Sequence, residues 1–305
     1  MISSLYDILA VGYDFVMILP KNRHLDAATA ILGNRRQAKA LLDSLQIRKK
    51  GRYQFFGMPQ GHLKYVALLV HNVGNTTTFL VSPPKTEGEV EKTTKLIRTS
   101  FESLQDRMTG LAQTVMETNQ PLLARAYENA GFQKLSILTY MERAKSVRVP
   151  IATSNEVSFV SMEETTDEIL QSILENTYIG SLDCPKIHGL RQMKDIVEGH
   201  RNQGSYDAQL WTIAQLEYEP VGVLLLSPLP EASCMELSYL GIIPAARGKG
   251  IGDALVNLAV KQATNYGLPR IVLAVDAANT PATALYERWN FRATRQRLTL
   301  IRQLY

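Results

Sequence analysis

Two stretches of this chain match each other, one near the end of each half, and that repeat limits the fold more than any other feature. Leu111–Asn119 parallels Ile271–Asn279, both strand-like runs that finish on Asn. Asn119-Gln-Pro121 parallels Asn279-Thr-Pro281, and Ala126-Tyr-Glu-Asn-Ala-Gly-Phe132 parallels Leu285-Tyr-Glu-Arg-Trp-Asn-Phe291, with a one-residue slip between proline and tyrosine. Each block follows a strand, a long helix and another strand, so the chain reads as a duplicated unit. At 305 residues it has room for two.

The periodicity of apolar residues fills in the rest. The first half predicts strand Phe15–Leu19 and helix His24–Gln46, the latter from the spacing of Ala27, Ile31, Ala38, Leu41, Leu42 and Leu45. Strands Tyr53–Met58, Leu63–His71 and Thr76–Val81 follow, then a helix over Glu89–Met108 and strand Leu111–Glu117. A short helix opens on Pro121, whose missing N–H costs little in a first turn, and stops at Gly131. Strand Gln133–Met141 closes this half, and Lys145–Asn155 is the linker, dividing domain 1–147 from domain 148–305. The second half predicts strand Val157–Val160, helix Glu164–Tyr178, loop Gly180–Gly189 and helix Leu190–Arg201. Strands Ala208–Glu217, Val221–Ser227 and Met235–Ile243 come next, then helix Ile251–Tyr266 ended by Gly267. Strand Ile271–Val275, helix Thr280–Arg288 and strand Arg292–Ile301 finish the chain.

Composition removes several classes. No run of about 18 apolar residues exists, so no membrane span is expected. Met1–Pro20 carries Asp7 and Asp14 without a basic start, unlike a signal peptide. Cys184 and Cys234 form no disulfide framework, the five histidines are scattered, and no metal is expected; a cytoplasmic setting fits. The net charge of +4 is unevenly shared, with 20 Lys+Arg against 12 Asp+Glu through Pro150 and 13 against 17 after it. The densest basic run, Arg48-Lys-Lys-Gly-Arg52, reads as a solvated helix end, with an anion-binding patch as the alternative. No aromatic-interleaved basic motif points to nucleic acid.

The halves differ at one place. Glu236–Gly252 runs from an apolar strand through a proline turn into Arg247-Gly-Lys-Gly250-Ile-Gly252, and a long helix follows. Helix N-termini leave N–H groups unpaired, and glycines let a phosphate approach them. Arg247 and Lys249 add positive charge. The equivalent slot of the first half, Ser82-Pro-Pro-Lys-Thr-Glu-Gly-Glu-Val90, has one glycine and two glutamates, and no phosphate is expected there.

These residues carry a resemblance. Arg247-Gly-Lys-Gly250-Ile-Gly252 meets the Arg/Gln-x-x-Gly-x-Gly/Ala hallmark of the GCN5-related N-acetyltransferase (GNAT) superfamily. Leu240-Gly-Ile242-Ile-Pro244 before it and Asn279…Leu285-Tyr286-Glu287…Phe291 after it also fit, and the resemblance covers about Val157–Arg302. The first half resembles a degenerate copy, and the tandem layout is similar to that of the mycothiol synthases, although no residue specifies mycothiol. The implied fold class is α/β (α+β): two tandem GNAT-like domains, each a mixed, mostly antiparallel twisted sheet flanked by helices.

The resemblance also implies the site. Acetyl-CoA is the expected cofactor. Backbone N–H groups across Arg247, Gly248, Lys249, Gly250, Ile251 and Gly252 would hold its pyrophosphate, and the backbone of Leu240, Gly241 and Ile242 its pantetheine arm. Asn279 would touch that arm or simply cap the strand end. An alkyl amine titrates near about 10.4, so a base helps its attack. Glu236, six residues before Ile242 and of the same strand parity as Leu240 and Ile242, is the candidate base; a bulge between them would break the parity argument, and an exposed strand-start glutamate is the alternative. Tyr286 would protonate the leaving thiolate, or serve as a core tyrosine like Tyr127. Asp183, Cys184, His188 and Arg191 are the candidate acceptor contacts, in what also reads as a plain turn.

The expected function is therefore acetyl transfer from acetyl-CoA directly to a primary amine, on a small molecule or peptide, in the second domain. The chain would act as a monomer or homodimer, without nucleic acid or membrane. A non-catalytic acyl-CoA-binding sensor or scaffold is the competing reading.

Overall fold

The computed structural model describes residues 15–47, 52–58, 63–104, 110–145 and 157–304. Most of the basic run at 48–52, the linker beyond 145 and the last residues of the helix expected to reach Met108 lie outside them, as do residues 1–14. The chain forms two compact units, Met1–Lys134 with Leu300–Tyr305, and Leu135–Thr299.

In the first unit, β1 (Met17–Ile18) precedes α1 (His24–Leu32) and α2 (Arg35–Ile47). The sequence predicts one helix here. Gly33 splits it, because its φ of 67° ends α1 in the left-handed region. The Asn34 side chain then accepts from the N–H groups of Arg36 and Gln37 and starts α2. Strands β2 (Tyr53–Gly57), β3 (Val66–Asn72) and β4 (Thr76–Val81) follow, then α3 (Glu87–Glu102), β5 (Gly110–Glu117) and α4 (Pro121–Asn129). The sheet order is β1-β2-β3-β4-β5, antiparallel up to β4 and parallel between β4 and β5. Phe79, Phe101, Tyr127 and Phe132 pack edge-on or tilted in the core between β4, α3 and α4.

The second unit opens with β6 (Gln133–Ala144) and β7 (Val157–Ser161), then α5 (Asp167–Tyr178) and α6 (Met193–Arg201). Strands β8 (Trp211–Leu216), β9 (Glu219–Leu229) and β10 (Cys234–Ile242) precede α7 (Ile251–Asn265), β11 (Arg270–Asp276), α8 (Thr280–Arg288) and β12 (Arg292–Leu304). The order is β12-β6-β11-β10-β9-β8-β7, with β10 and β11 parallel and the β11–β6, β10–β9, β9–β8 and β8–β7 pairs antiparallel. Each unit is thus a mixed, mostly antiparallel sheet flanked by helices.

Strand β6, which the sequence places as the last strand of the first half, pairs with β11 over seven residues, Arg270↔Ala144 to Asp276↔Leu138. Its Arg143 is buried and donates from Nε to the Trp289 carbonyl at 2.8 Å, which fastens β6 to the end of α8. Most of β6 therefore counts with the second unit, while residues from Leu300 onward count with the first.

Two cores sandwich the second sheet. On one face, Leu255, Val256, Ala259 and Val260 of α7 pack on Leu224, Leu226, Met235, Leu237, Ile271 and Leu273. On the other, Leu170, Ile173 and Leu174 of α5 pack on Trp211, Ile213, Val223 and Leu225. Each such side chain contributes roughly 1.5–3 kcal/mol by leaving water. These faces decide which residues look into the site.

Candidate active site

Strands β10 and β11 run together only at Met235↔Ile271 and Glu236↔Val272, then part. The Ile243 N–H donates to the Val221 carbonyl at 3.0 Å, on the β9 side. Backbone polarity alternates along a strand, so Leu240 and Ile242 turn their N–H and C=O groups away from β9, into the fork. The fork holds a cavity of about 450 Å³. Its walls include Ser238 to Ile242 on one side, Ala274 and Val275 on the other, and Tyr286 and Asn279 beneath.

Below the fork, Pro244–Ala246 form one tight turn and the chain reaches α7 through two left-handed glycines, Gly248 (φ 77°) and Gly250 (φ 80°). Any L side chain is strained there. Gly248, Gly250, Gly252 and Asp253 line the cavity, so the first turn of α7 borders it, and a helix start suits an anion. Gly252 has another job. A Cβ there would lie 3.0 Å from Leu285 Cδ2, so its bareness lets α7 pack on α8. Lys249 is exposed and Ile251 is core; neither lines the cavity.

Arg247 lines the cavity, and its guanidinium is held by backbone carbonyls. Its Nε donates to Ile242 O at 3.0 Å, Nη1 to Gly180 O at 3.0 Å, and Nη2 to Thr177 O and Ile179 O at 3.0 and 2.7 Å. The guanidinium ties the C-terminal end of α5 to the end of β10, where helix carbonyls favour a cation. Asp253, in the first turn of α7, would oppose an anion, but Trp289 Nε1 and Arg288 Nη2 donate to it at 2.8 and 3.1 Å.

A bulge decides the placement of Glu236. Between Leu237↔Leu226 and Tyr239↔Leu225, Ser238 is an extra residue. Glu236 therefore does not share a face with Leu240 and Ile242, as parity predicts. Leu240 and Ile242 pack with the α7 core, while Glu236 faces the α5–α6 side at the apex of the fork, one residue outside the cavity wall. Burial raises its carboxyl above the usual range, offset in part by Gln203, whose Nε2 donates to Oε2 at 2.8 Å.

Tyr286 lies on the cavity with its ring against Phe291, and burial raises its phenol. Its counterpart Tyr127 donates its hydroxyl to the Phe79 carbonyl of β4 at 3.2 Å. The repeat keeps the residue but not the role. Asn279 caps α8, its Oδ1 accepting from the Ala282 N–H at 3.3 Å, and also reaches the cavity.

Of the four acceptor candidates, Asp183 alone lines the cavity. It accepts from the Asp276 N–H at 2.9 Å while Asp276 accepts from the Cys184 N–H at 3.1 Å, a reciprocal lock between β11 and the α5–α6 loop. Burial raises the Asp183 carboxyl. Burial likewise pushes the Cys184 thiol up to about 12. His188 stacks on Tyr178 at 4.8 Å, and Arg191 Nη2 donates to Asp195 O at 2.9 Å. Sequence reasoning missed Ser238, Tyr239 and Gln203. Only an irregular strand pairing exposes the first, and the last comes close through folding alone.

In the first unit the matching helix start is acidic, as expected. Glu89 accepts from the Lys85 N–H at 2.8 Å and pairs with Lys64 at 2.7 Å, and Glu87 pairs with Arg125.

A parallel fork that opens onto a glycine-led helix is the decisive geometry, and comparison agrees: residues 174–291 match the Acetyltransferase (GNAT) family. Residues 174–291 form a GNAT-family domain. The mycothiol acetyltransferase of Jonesia denitrificans is 44% identical over 71 residues, 23% of this chain and 23% of that relative. The mycothiol acetyltransferase of Corynebacterium glutamicum is 24% identical over 224 residues, 62% of this chain and 76% of the relative. Among solved structures, a GCN5-related N-acetyltransferase from Sphaerobacter thermophilus aligns with a TM-score of 0.64 at 17% identity, over 95% of both chains. A tandem GNAT protein from the clavulanic acid biosynthesis pathway aligns at 0.53 and 13% identity, over 95% of this chain and 98% of that one. At such identities the likeness is one of fold. The GNAT match spans the fork, the glycine loop and Tyr286.

Proposed function

We propose that the second unit transfers an acetyl group from acetyl-CoA directly to a primary amine. The observation that carries this reading is the fork between β10 and β11, which runs from the parted edge of β10 to the glycine loop. Acetyl-CoA, when bound, supplies an activated thioester carbonyl. The N–H groups from Gly248 to Gly252 hold the pyrophosphate, and the strand edge at Leu240 with the Ile242 N–H holds the pantetheine arm. The Leu240 N–H faces the carbonyl oxygen and stabilises charge that develops there. Glu236, at the apex on the α5–α6 side, takes the proton from the incoming amine. Tyr286 donates its phenolic proton to the departing sulfur. The first unit, with acids at the matching helix start, takes no cofactor there.

Acetyl-CoA is expected to give calorimetric heat with one site per chain. Glu236→Gln and Tyr286→Phe are each expected to lower turnover by about 10²-fold or more while leaving that heat in place. The amine panel should include the precursor that the relatives' name points to, unacetylated mycothiol. Binding without turnover on any amine would replace this reading with an acyl-CoA sensor. No binding would end both.

A further inference from the structure

Glu236 has a companion, the half-buried Gln203. The Gln203 amide donates to its Oε2 at 2.8 Å. The segment carrying Gln203 is held on both sides. Before it, Arg201 grips Asp167 with both Nη atoms, tying the end of α6 to the start of α5, and its guanidinium lies 5.3 Å from the Tyr206 ring centre. The Gln203 N–H itself donates to His200 O at 3.1 Å. After it, Gly204 is left-handed (φ 68°), and a Cβ there would lie 2.6 Å from Pro228 O. The Ser205 N–H donates to that same carbonyl at 3.0 Å. Pro228 and Ser227 are the register partners of Met235 and Glu236, so this segment is bolted to the strand beside the carboxylate.

The donor is neutral, and that matters chemically. A cation in this place would hold the carboxylate ionised but weaken it as a base by about 1–3 pKa units. A carboxamide orients one oxygen and leaves the other for an amine. Among the described residues the carboxylate forms no ion pair; the Cys234 thiol, two residues before it on β10, feels its charge, and His200 on α6, ahead of Gln203, has its pKa lowered by burial to about 4. The first unit lacks the carboxylate. Its register equivalent, set by Leu111 matching Ile271, is Thr77, which is buried and pairs with His71 at 3.1 Å. The carboxylate stands in the unit that has the glycine cradle, with its amide beside it.

We propose that Gln203 is the positioning residue of Glu236, its amide fixing which carboxylate oxygen faces the incoming amine. The role of Glu236 rests on the acetyl-transfer reading above; the contact with Gln203 does not.

The test titrates Glu236 directly. Full-length protein is labelled with ¹³C at glutamate carboxyls, and Glu236→Gln identifies the resonance. Gln203→Leu removes a donor to the charged form, so the Glu236 midpoint is expected to move up. Gln203→Glu, nearly the same size, adds a like charge and is expected to move it further. The acid limb of CoA release from acetyl-CoA, with water as acceptor, should follow the midpoint in both. Should Gln203→Leu fail to fold, Gln203→Glu carries the measurement. An unmoved midpoint overturns the inference even where Glu236→Gln abolishes CoA release, which leaves the acetyl-transfer reading standing. A moved midpoint with CoA release untouched in Glu236→Gln rejects Glu236 as the base, and the positioning role with it.

Discussion

Tyr127 and Tyr286 hold the same place in the repeat, and their hydroxyls part company. The first bonds the Phe79 carbonyl within a closed core, and the second stands at a cavity wall. Tyr127→Phe is expected to cost about 1 kcal/mol in denaturant unfolding and to spare turnover. Tyr286→Phe is expected to do the opposite, so the pair separates structure from chemistry. Glu236 makes a second prediction at this scale. Burial, only partly offset by Gln203, raises its carboxyl, so the folded chain holds that proton more tightly than the unfolded chain. Stability relative to a neutral side chain is therefore lost as pH rises above the unfolded value, 4.5. Glu236→Gln should melt higher than wild type at about pH 7.5 and alike at about pH 4, by scanning calorimetry. An equal difference at both pH values would contradict this. Gly250→Ala forces a side chain to φ 80°, at about 1–2 kcal/mol, and should weaken acetyl-CoA binding in calorimetry.

At the scale of elements, two features shape the site more than any single side chain. The bulge at Ser238 shifts β10 by half a pleat, which turns Glu236 and Leu240 to opposite faces of the sheet. One residue thus puts the Glu236 carboxylate on one face and the Leu240 side chain on the other. Strand β6 is the second feature. It satisfies the far edge of β11 along Arg270–Asp276, and a fragment beginning at residue 148 would leave that edge bare. Such a fragment is expected to aggregate or to melt well below the full chain, and to recover when residues 133–145 are restored at its start. A fragment from 148 as stable as the whole protein would show that β6 is dispensable. Arg247 works at this scale too, because its four bonds to carbonyls join α5 to β10.

For the whole molecule, the expectation is one acetyl-CoA per chain, since among the described residues only the second unit joins an open fork to left-handed glycines. Much of this was legible beforehand. Apolar periodicity placed nearly every described element, because burial of one face imposes a period that the sequence must carry. The glycine loop was legible for a related reason. Backbone at positive φ admits few residues other than glycine, so the conformation writes itself into the sequence. The paired blocks at Asn119 and Asn279 announced the duplication. Other features depended on contacts between residues far apart in the chain. Which unit β6 completes, where β10 bulges, that Arg247 serves carbonyls, and that Gln203 meets Glu236 are all set by packing and hydrogen-bond satisfaction after the chain has closed on itself. No local period or propensity records such choices. The sequence by itself determined the elements, the repeat and the glycine loop; the tertiary structure decided which groups face one another across the fork.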